Sequence, residues 1–364
     1  MDVLLIEPYY GGSHRAWADG YARYSAHRVH LMTLPAQFWK WRMQGGAVTL
    51  ARLFIEQNLQ PDVILASDMF DLSIFAALTR QRTASIPLAL YFHESQLTYP
   101  QNTRQSHGTQ YGFINYASAL TADAVYFNSD FHRQVFLDEL PRMLKHFGDY
   151  NELETVRVIQ ERSQVLPLGL DLRRLDAYAP AERSAGEAPL IVWNHRWEED
   201  KNPRLFLESL YRLAEADIPF RVALAGENFR RDPAEFEEAR ARLGERVVVY
   251  GYVADYGEYA RLLWQADYVV STAYQDFFGI AVAEAIYCGC VPVLPYRLNY
   301  PALVPEPLRE HCLYSANDLY SRLAAFLRGE IHVETAPLQQ HIARYDWQRM
   351  APQYDEALIR LVQG

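Results

Sequence analysis

Short unbroken apolar runs recur along the chain, separated by longer stretches whose apolar residues return every three or four positions. The first run spans 3–6. It breaks into Tyr9-Tyr10-Gly11-Gly12-Ser13-His14 and leads into a helical stretch with Trp17 and Tyr21 four apart. Further runs lie at 29–32, 63–66, 88–92, 124–127 and 164–167, alternating with amphipathic stretches at 47–58, 71–80, 108–121 and 131–146. Unbroken apolar runs mark strands buried on both faces, and strand–helix alternation predicts a parallel sheet covered by helices.

Residues 173–189 are rich in Ala, Pro and charge without a clear period, and read as a linker. The alternation then restarts, with strands at 190–194, 220–225, 247–250, 268–271 and 291–294 and helices at 203–214, 233–243, 255–265 and 279–287. A last helix covers 345–362. The pattern predicts an α/β protein of two Rossmann-like, doubly wound domains, 1–173 and 190–340, with the 345–364 helix packing back on the first. Ligands of such sheets sit beyond the carboxyl ends of the strands, so the site is expected in a cleft between the domains.

Composition narrows the class. Half of the 364 residues are hydrophobic and 22% are charged, as in ordinary globular proteins. No apolar run approaches the roughly 18 residues of a membrane-spanning helix, and no basic amphipathic helix suggests membrane docking. The start carries no basic region or small-residue cleavage site, and three cysteines make no disulfide framework, so a cytoplasmic protein is expected. The net charge of −10 argues against general phosphate binding, while leaving room for a local basic groove. Nothing in the pattern sets an oligomeric state.

Four segments at strand ends carry candidate chemistry. In 271–285, Asp276 and Glu284 stand eight apart with Gly279 between them at a strand-to-helix junction. A helix starting there presents free N–H groups to a diphosphate, with one acid for a sugar and the other for a ribose. The plain alternative is a helix cap and a surface Glu. In 193–203, Arg196 and Lys201 follow a buried strand and precede a helix opened by Pro203. A guanidinium fork and an ammonium suit a departing diphosphate. The alternative is a solvated loop whose cations pair with Glu198–Asp200. The third is 91–96, where His93 could hold a sugar hydroxyl or move a proton. The fourth is 11–14, where paired glycines allow close backbone approach. No Asp-any-Asp pair is present, so no metal is expected under a diphosphate. Cys288, Cys290 and Cys312 lack zinc-site spacing and read as buried thiols.

The Arg196/Lys201 loop followed by the two spaced acids resembles the donor site of family-4 glycosyltransferases of the GT-B architecture. A closer resemblance covers nearly the whole chain. The segments 6–14, 91–100, 110–112, 127–129, 193–198, 277–279 and 284–290 resemble the tRNA-queuosine mannosyltransferases. The His-Arg-Trp-Glu run at 195–198 and the Tyr-Cys-Gly-Cys run at 287–290 are the most specific. One departure is Asp276, where the family usually has Glu.

The resemblance implies a retaining transferase that moves mannose from GDP-mannose to the cyclopentenediol of queuosine in tRNA, through an α-linkage and with no metal. Retention without an obvious nucleophile implies front-face displacement. His93, Arg196, Lys201 and Asp276 are then the catalytic candidates. Gly11, Gly12, His14, His195, Arg196, Lys201, Phe278, Gly279, Ile280 and Glu284 hold the donor. RNA bases are gripped by stacking on aromatics and Arg planes, which selects Trp39, Trp41 and Arg42 in an expected loop at 38–42, with Glu94, Gln96 and Arg104. Arg133, Arg142, Lys145 and His146 offer a helix face to phosphates. The alternatives are another nucleotide sugar or a small-molecule acceptor, a catalytically silent sugar-nucleotide binding module, and an epimerase on the same scaffold.

Overall fold

Each apolar run of the first half becomes a strand, and the six strands join one parallel sheet. The computed structural model describes residues 1–97, 108–181, 186–227, 234–315 and 318–364. The strands β1 (Asp2–Tyr10), β2 (Arg28–Pro35), β3 (Val63–Ser67), β4 (Leu88–Phe92), β5 (Ala124–Phe127) and β6 (Ser163–Val165) are ordered 2-1-3-4-5-6. β3, β4 and β5 are buried at every residue, which is why their sequences do not alternate, whereas edge strand β2 is half exposed. A second parallel sheet holds β7 (Leu190–Trp193), β8 (Arg221–Leu224), β9 (Val247–Tyr250), β10 (Tyr268–Val270), β11 (Val291–Pro295) and β12 (Leu313–Tyr314) in the order 12-11-10-7-8-9. Helices connect the parallel strands in both sheets.

The chain divides into two compact units, Met1–Leu170 with Tyr345–Gly364, and Asp171–Arg344. The C-terminal helix Trp347–Gln363 is tied into the first unit by polar contacts as well as packing. Asp355 accepts hydrogen bonds from Tyr21 Oη at 2.9 Å, Ser25 Oγ at 2.6 Å and the Ala26 amide at 2.9 Å. Tyr354 Oη donates to Tyr91 Oη at 2.9 Å, and Trp347 lies where a Cβ on Gly20 or Gly169 would stand.

Two expectations change. Residues 173–189 are not all linker, because Leu172–Tyr178 forms a 3₁₀ helix that buries Leu172 and Leu175 in the second unit. Trp264 Nε1 donates to the Leu175 carbonyl at 2.8 Å and Tyr287 Oη to Asp176 at 3.0 Å. Three residues per turn put Leu172 and Leu175 on one side, a short signal hidden among charges. The helix expected from 47 begins at Trp39, so 38–42 is not a loop. Phe38 takes a left-handed conformation with φ 53° and turns the chain into the helix.

Candidate active site

In the first unit the polar residues gather where β1 and β4 end and the helix Gly12–Tyr24 begins. Glu7 is the sole acid in the apolar body of β1 and is fully buried. Its Oε1 accepts from the Tyr9 amide at 2.8 Å and its Oε2 meets His14 Nδ1 at 3.1 Å. His14 sits in the first turn of the helix Gly12–Tyr24. Gly12 has φ +51°, and a Cβ on Gly11 would stand 2.4 Å from Ala36 Cβ. Gly11 is therefore required by packing against the chain itself, a reason the sequence does not reveal. Burial pushes the His14 imidazolium toward losing its proton, but the Glu7 carboxylate, aided by the other acids around it, lifts the pKa to about 9.

His93 follows β4. Its amide donates to Asp68 Oδ1 and its carbonyl accepts from Asn128 Nδ2, both at 2.8 Å. Its ring packs against His14, Trp17 and Tyr91, with centroids 4.3, 4.6 and 4.9 Å away. Burial and the neighbouring His14 charge hold His93 well below the ordinary histidine pKa, so it is neutral. Its Nε2 has no hydrogen-bond partner among the described residues. Asp68 is also buried, and burial lifts its pKa to about 8 against the pull of His14. Gln96 Nε2 donates to Glu94 at 2.9 Å, and the Gln96 amide to Asn115 at 3.0 Å.

The second cluster lies in the second unit. The helix Ile280–Tyr287 starts at Gly279, whose φ of +94° and 2.9 Å clearance to Leu303 admit no side chain. Asp276 precedes it, accepting from the Phe278 amide at 3.3 Å and from Tyr300 Oη at 3.2 Å. Asn299 Nδ2 holds the Phe278 carbonyl at 2.9 Å. Glu284 accepts from Tyr259 Oη at 3.0 Å, and Asn194 Nδ2 donates to both Tyr259 Oη and the Ala281 carbonyl. Burial raises Glu284 to about 7, with the Tyr259 hydrogen bond pulling the other way. His195, beside them, is held near 4 by burial and the Lys201 charge, and its Nε2 faces the Val270 carbonyl at 3.3 Å.

The two candidate cations of this unit, Arg196 and Lys201, differ. Lys201 is buried, donating to the Gln275 carbonyl at 2.5 Å and pairing with Asp200 at 3.2 Å. Arg196 is exposed and pairs with Glu198 at 3.3 Å. Both thus hold the acidic neighbours that the solvated-loop alternative named. Lys201 also bridges the β7 and β10 loops, because Thr272 Oγ1 donates to its carbonyl at 2.7 Å.

Of the acceptor candidates, Trp41 is exposed, while Trp39 is partly buried and its ring lies 5.1 Å from that of Tyr111. Arg42 donates twice to the Pro35 carbonyl, at 3.2 and 3.1 Å. Arg104, in the stretch 98–107, lies outside the described residues. On the basic helix face, Arg142 pairs with Glu139 and Arg133 with Asp130. A cavity of about 610 Å³ in the first unit is lined by Gln44, Ile74, Gln110, Phe113, Ile114 and Phe147, among others; Gln110 belongs to the resemblance segment 110–112, and none of the catalytic, donor or acceptor candidates lines it. Sequence reasoning gave no role to Glu7 and Asn194, although both lie in the resemblance segments, and it passed over Asp68 and Tyr259. For Glu7 a signal was present: one acid inside a strand that is otherwise apolar.

Two parallel six-stranded units of this kind are the two Rossmann-like domains of a GT-B fold. The catalytic domain of Arabidopsis thaliana starch synthase IV, bound to ADP and acarbose, shares the fold at a TM-score of 0.72 and 12% identity, covering 100% of this chain and 99% of that one. The Candida albicans trehalose-6-phosphate phosphatase N-terminal domain does so at 0.72 and 12%, covering 99% and 97%. Residues 176–301 match the family described as glycosyl transferases group 1, and residues 2–170 the N-terminal domain of tRNA-queuosine alpha-mannosyltransferase. The Drosophila melanogaster tRNA-queuosine alpha-mannosyltransferase is 34% identical over 333 residues, 90% of this chain and 87% of that one. A GDP-mannose:cellobiosyl-diphosphopolyprenol alpha-mannosyltransferase of Xanthomonas campestris is 24% identical over 203 residues, 54% and 52% of the two chains. The chain belongs to the tRNA-queuosine alpha-mannosyltransferase family and is a hexosyltransferase. Among the described residues no helix is long and apolar enough to cross a membrane.

Proposed function

We propose that this enzyme transfers mannose, with retention, from GDP-mannose to the cyclopentenediol of queuosine in tRNA. The observation that carries the reading is the 34% identity over 90% of the chain to a tRNA-queuosine alpha-mannosyltransferase. GDP-mannose as donor is supported by the relatives whose names specify it.

The second unit supplies the donor machinery. The N–H groups of the helix beginning at Ile280 and the Arg196 and Lys201 cations meet the diphosphate and stabilise the charge that grows on it as the glycosidic bond breaks. Lys201 acts from a fixed position, held by Gln275 and Asp200, whereas Arg196 must leave Glu198 to reach a phosphate. Glu284 takes the ribose hydroxyls and Asp276 the sugar. Asp276 is one methylene shorter than the family's usual Glu, and its anchoring by Tyr300 fixes the shorter arm. The acceptor hydroxyl attacks from the face the diphosphate leaves, and a leaving-group oxygen takes its proton.

The first unit supplies His93, whose neutral ring offers Nε2 to a sugar hydroxyl, and the acceptor surface. Trp41 is exposed for stacking on an anticodon base, with Arg42, Glu94, Gln96 and Arg104 as polar contacts. The test is mass spectrometry of queuosine-bearing tRNA after incubation with enzyme and a panel of nucleotide sugars. A hexose increment on the queuosine nucleoside from GDP-mannose is expected. A mass gain only from another nucleotide sugar overturns the donor, and nucleotide release without any gain overturns the acceptor.

A further inference from the structure

Glu7, His14 and His93 come from three segments and bring three buried ligand atoms together. Glu7 Oε2 lies 3.1 Å from His14 Nδ1 and 3.9 Å from His93 Nε2, and all three atoms are within 4.8 Å of one another. Ligands held about 2.0–2.1 Å from one tetrahedral zinc ion are spaced about 3.3 Å apart, so small side-chain adjustments would close the set. The exposures are 0%, 8% and 9%, and the packing of Trp17 and Tyr91 against the His93 ring leaves little freedom to turn away.

The hydrogen bonding of the cluster is incomplete. A proton between His14 and Glu7 satisfies that pair but leaves Nε2 of His93 buried and without a hydrogen-bond partner among the described residues. Buried polar atoms of this kind normally have one. A cation bound to all three ligand atoms satisfies the orphan. Glu94 acts electrostatically on the same spot, adding negative charge to that of Glu7. The supporting shell is built as well: Glu7 Oε1 is held by the Tyr9 amide, and the His93 backbone by Asp68 and Asn128.

We propose that Glu7 Oε2, His14 Nδ1 and His93 Nε2 form a site for a divalent transition-metal ion, with zinc the best match. Two imidazoles and one carboxylate suit zinc and its neighbours, while magnesium and calcium favour all-oxygen shells. Three protein ligands leave the fourth position for water or a hydroxyl. The site is distinct from a metal under the donor diphosphate, and it stands whether or not the donor and acceptor assignments above hold. Where they do hold, the hydroxyl assigned to His93 becomes the fourth ligand.

The test uses the full-length, tag-free protein, stripped with chelator and titrated with Co²⁺ in the absence of donor and tRNA. Saturation at one equivalent with the intense visible bands of four-coordinate Co²⁺, reversed by Zn²⁺, is expected. The double variant His14→Gln, His93→Gln should weaken binding about 100-fold or more, while His332→Ala, at an exposed His–Glu pair, should not change it. Circular dichroism checks that the double variant folds. The wild-type titration stands without it. Absence of a saturable spectrum in the wild type, or unchanged affinity in the folded double variant, overturns the site. A sugar hydroxyl could serve His93 only with substrate bound, so omitting substrate separates the two. Mannosyl transfer that survives chelation alongside a blank Co²⁺ titration removes the metal site alone.

Discussion

Tyr259 donates its hydroxyl hydrogen to Glu284 across 3.0 Å while its oxygen accepts from Asn194 at 3.1 Å. The residue expected to hold a ribose is thereby tied to the loop after β7, the loop that carries Arg196 and Lys201. The proposed ribose residue and the start of the loop proposed to meet the diphosphate are joined by one hydrogen-bonded chain, although ninety positions separate Asn194 from Glu284.

The titration of Glu284 follows from its burial. At about 7 in the empty protein, its pKa stands above the ordinary 4.5. Ribose hydroxyls favour the carboxylate, so GDP affinity should rise about tenfold between pH 6 and 8 and then level. Glu284→Gln should flatten that profile and weaken binding about ten- to hundredfold. Stability runs the other way. The ionised native form is disfavoured, with no penalty below pH 4.5 and the full penalty above 7, so Glu284→Gln should out-melt the wild type at pH 8 and not at pH 4.5. Calorimetry and thermal melts at the two ends check both signs, and a flat wild-type GDP profile would exclude the ribose role.

Arg196 and Lys201 should separate on substitution. Arg196 is exposed, so Arg196→Ala should leave stability within about 0.5 kcal/mol while turnover falls. Lys201→Ala should lower turnover about 10²–10³-fold. It should also destabilise by about 1–3 kcal/mol, since Asp200 loses its cation and the Gln275 carbonyl its donor. Single-turnover rates paired with melts decide the matter. Normal turnover in a folded Lys201→Ala protein would remove the leaving-group role.

Trp41 lies across Gly45 one turn on, where a Cβ would stand 2.5 Å from the indole. Gly45→Ala should therefore add about 0.5–1 kcal/mol to helix stability while pushing the exposed ring from its place. Loss of the ring in Trp41→Ala should cost about 1–3 kcal/mol of tRNA binding with little change in melting. Filter binding of queuosine-bearing tRNA by both variants is the measurement. Unchanged affinity in Trp41→Ala discards this surface as an RNA contact.

Asp355 is the polar anchor of the C-terminal helix in the first unit. Asp355→Ala leaves the Tyr21 and Ser25 hydroxyls and the Ala26 amide without their acceptor, and should destabilise by about 2–4 kcal/mol. Asp355→Asn keeps one acceptor oxygen and should lose less. Denaturant melts of the two variants test the order, and no measurable loss in either would show that the helix is held by packing alone.

Much was written locally. The apolar runs at 63–66, 88–92 and 124–127 announce buried parallel strands because each is covered on both faces, and the amphipathic stretch 108–121 coincides with the helix Gly108–Thr121. Gly279 and the two acids around it marked a strand-to-helix junction because only glycine tolerates that backbone. What the sequence could not decide is whom each polar group meets. Gly11 is fixed by Ala36, Lys201 by Gln275, and His14 by Glu7, each a pairing across elements that periodicity does not encode. The start of the helix at Trp39 was hidden for the same reason, since Trp39 is partly covered by Tyr111 from a distant helix. Burial along one element is a property of its own residues. The protonation of His14, His93 and Glu284 depends on neighbours and dielectric, and those exist only once the chain has folded.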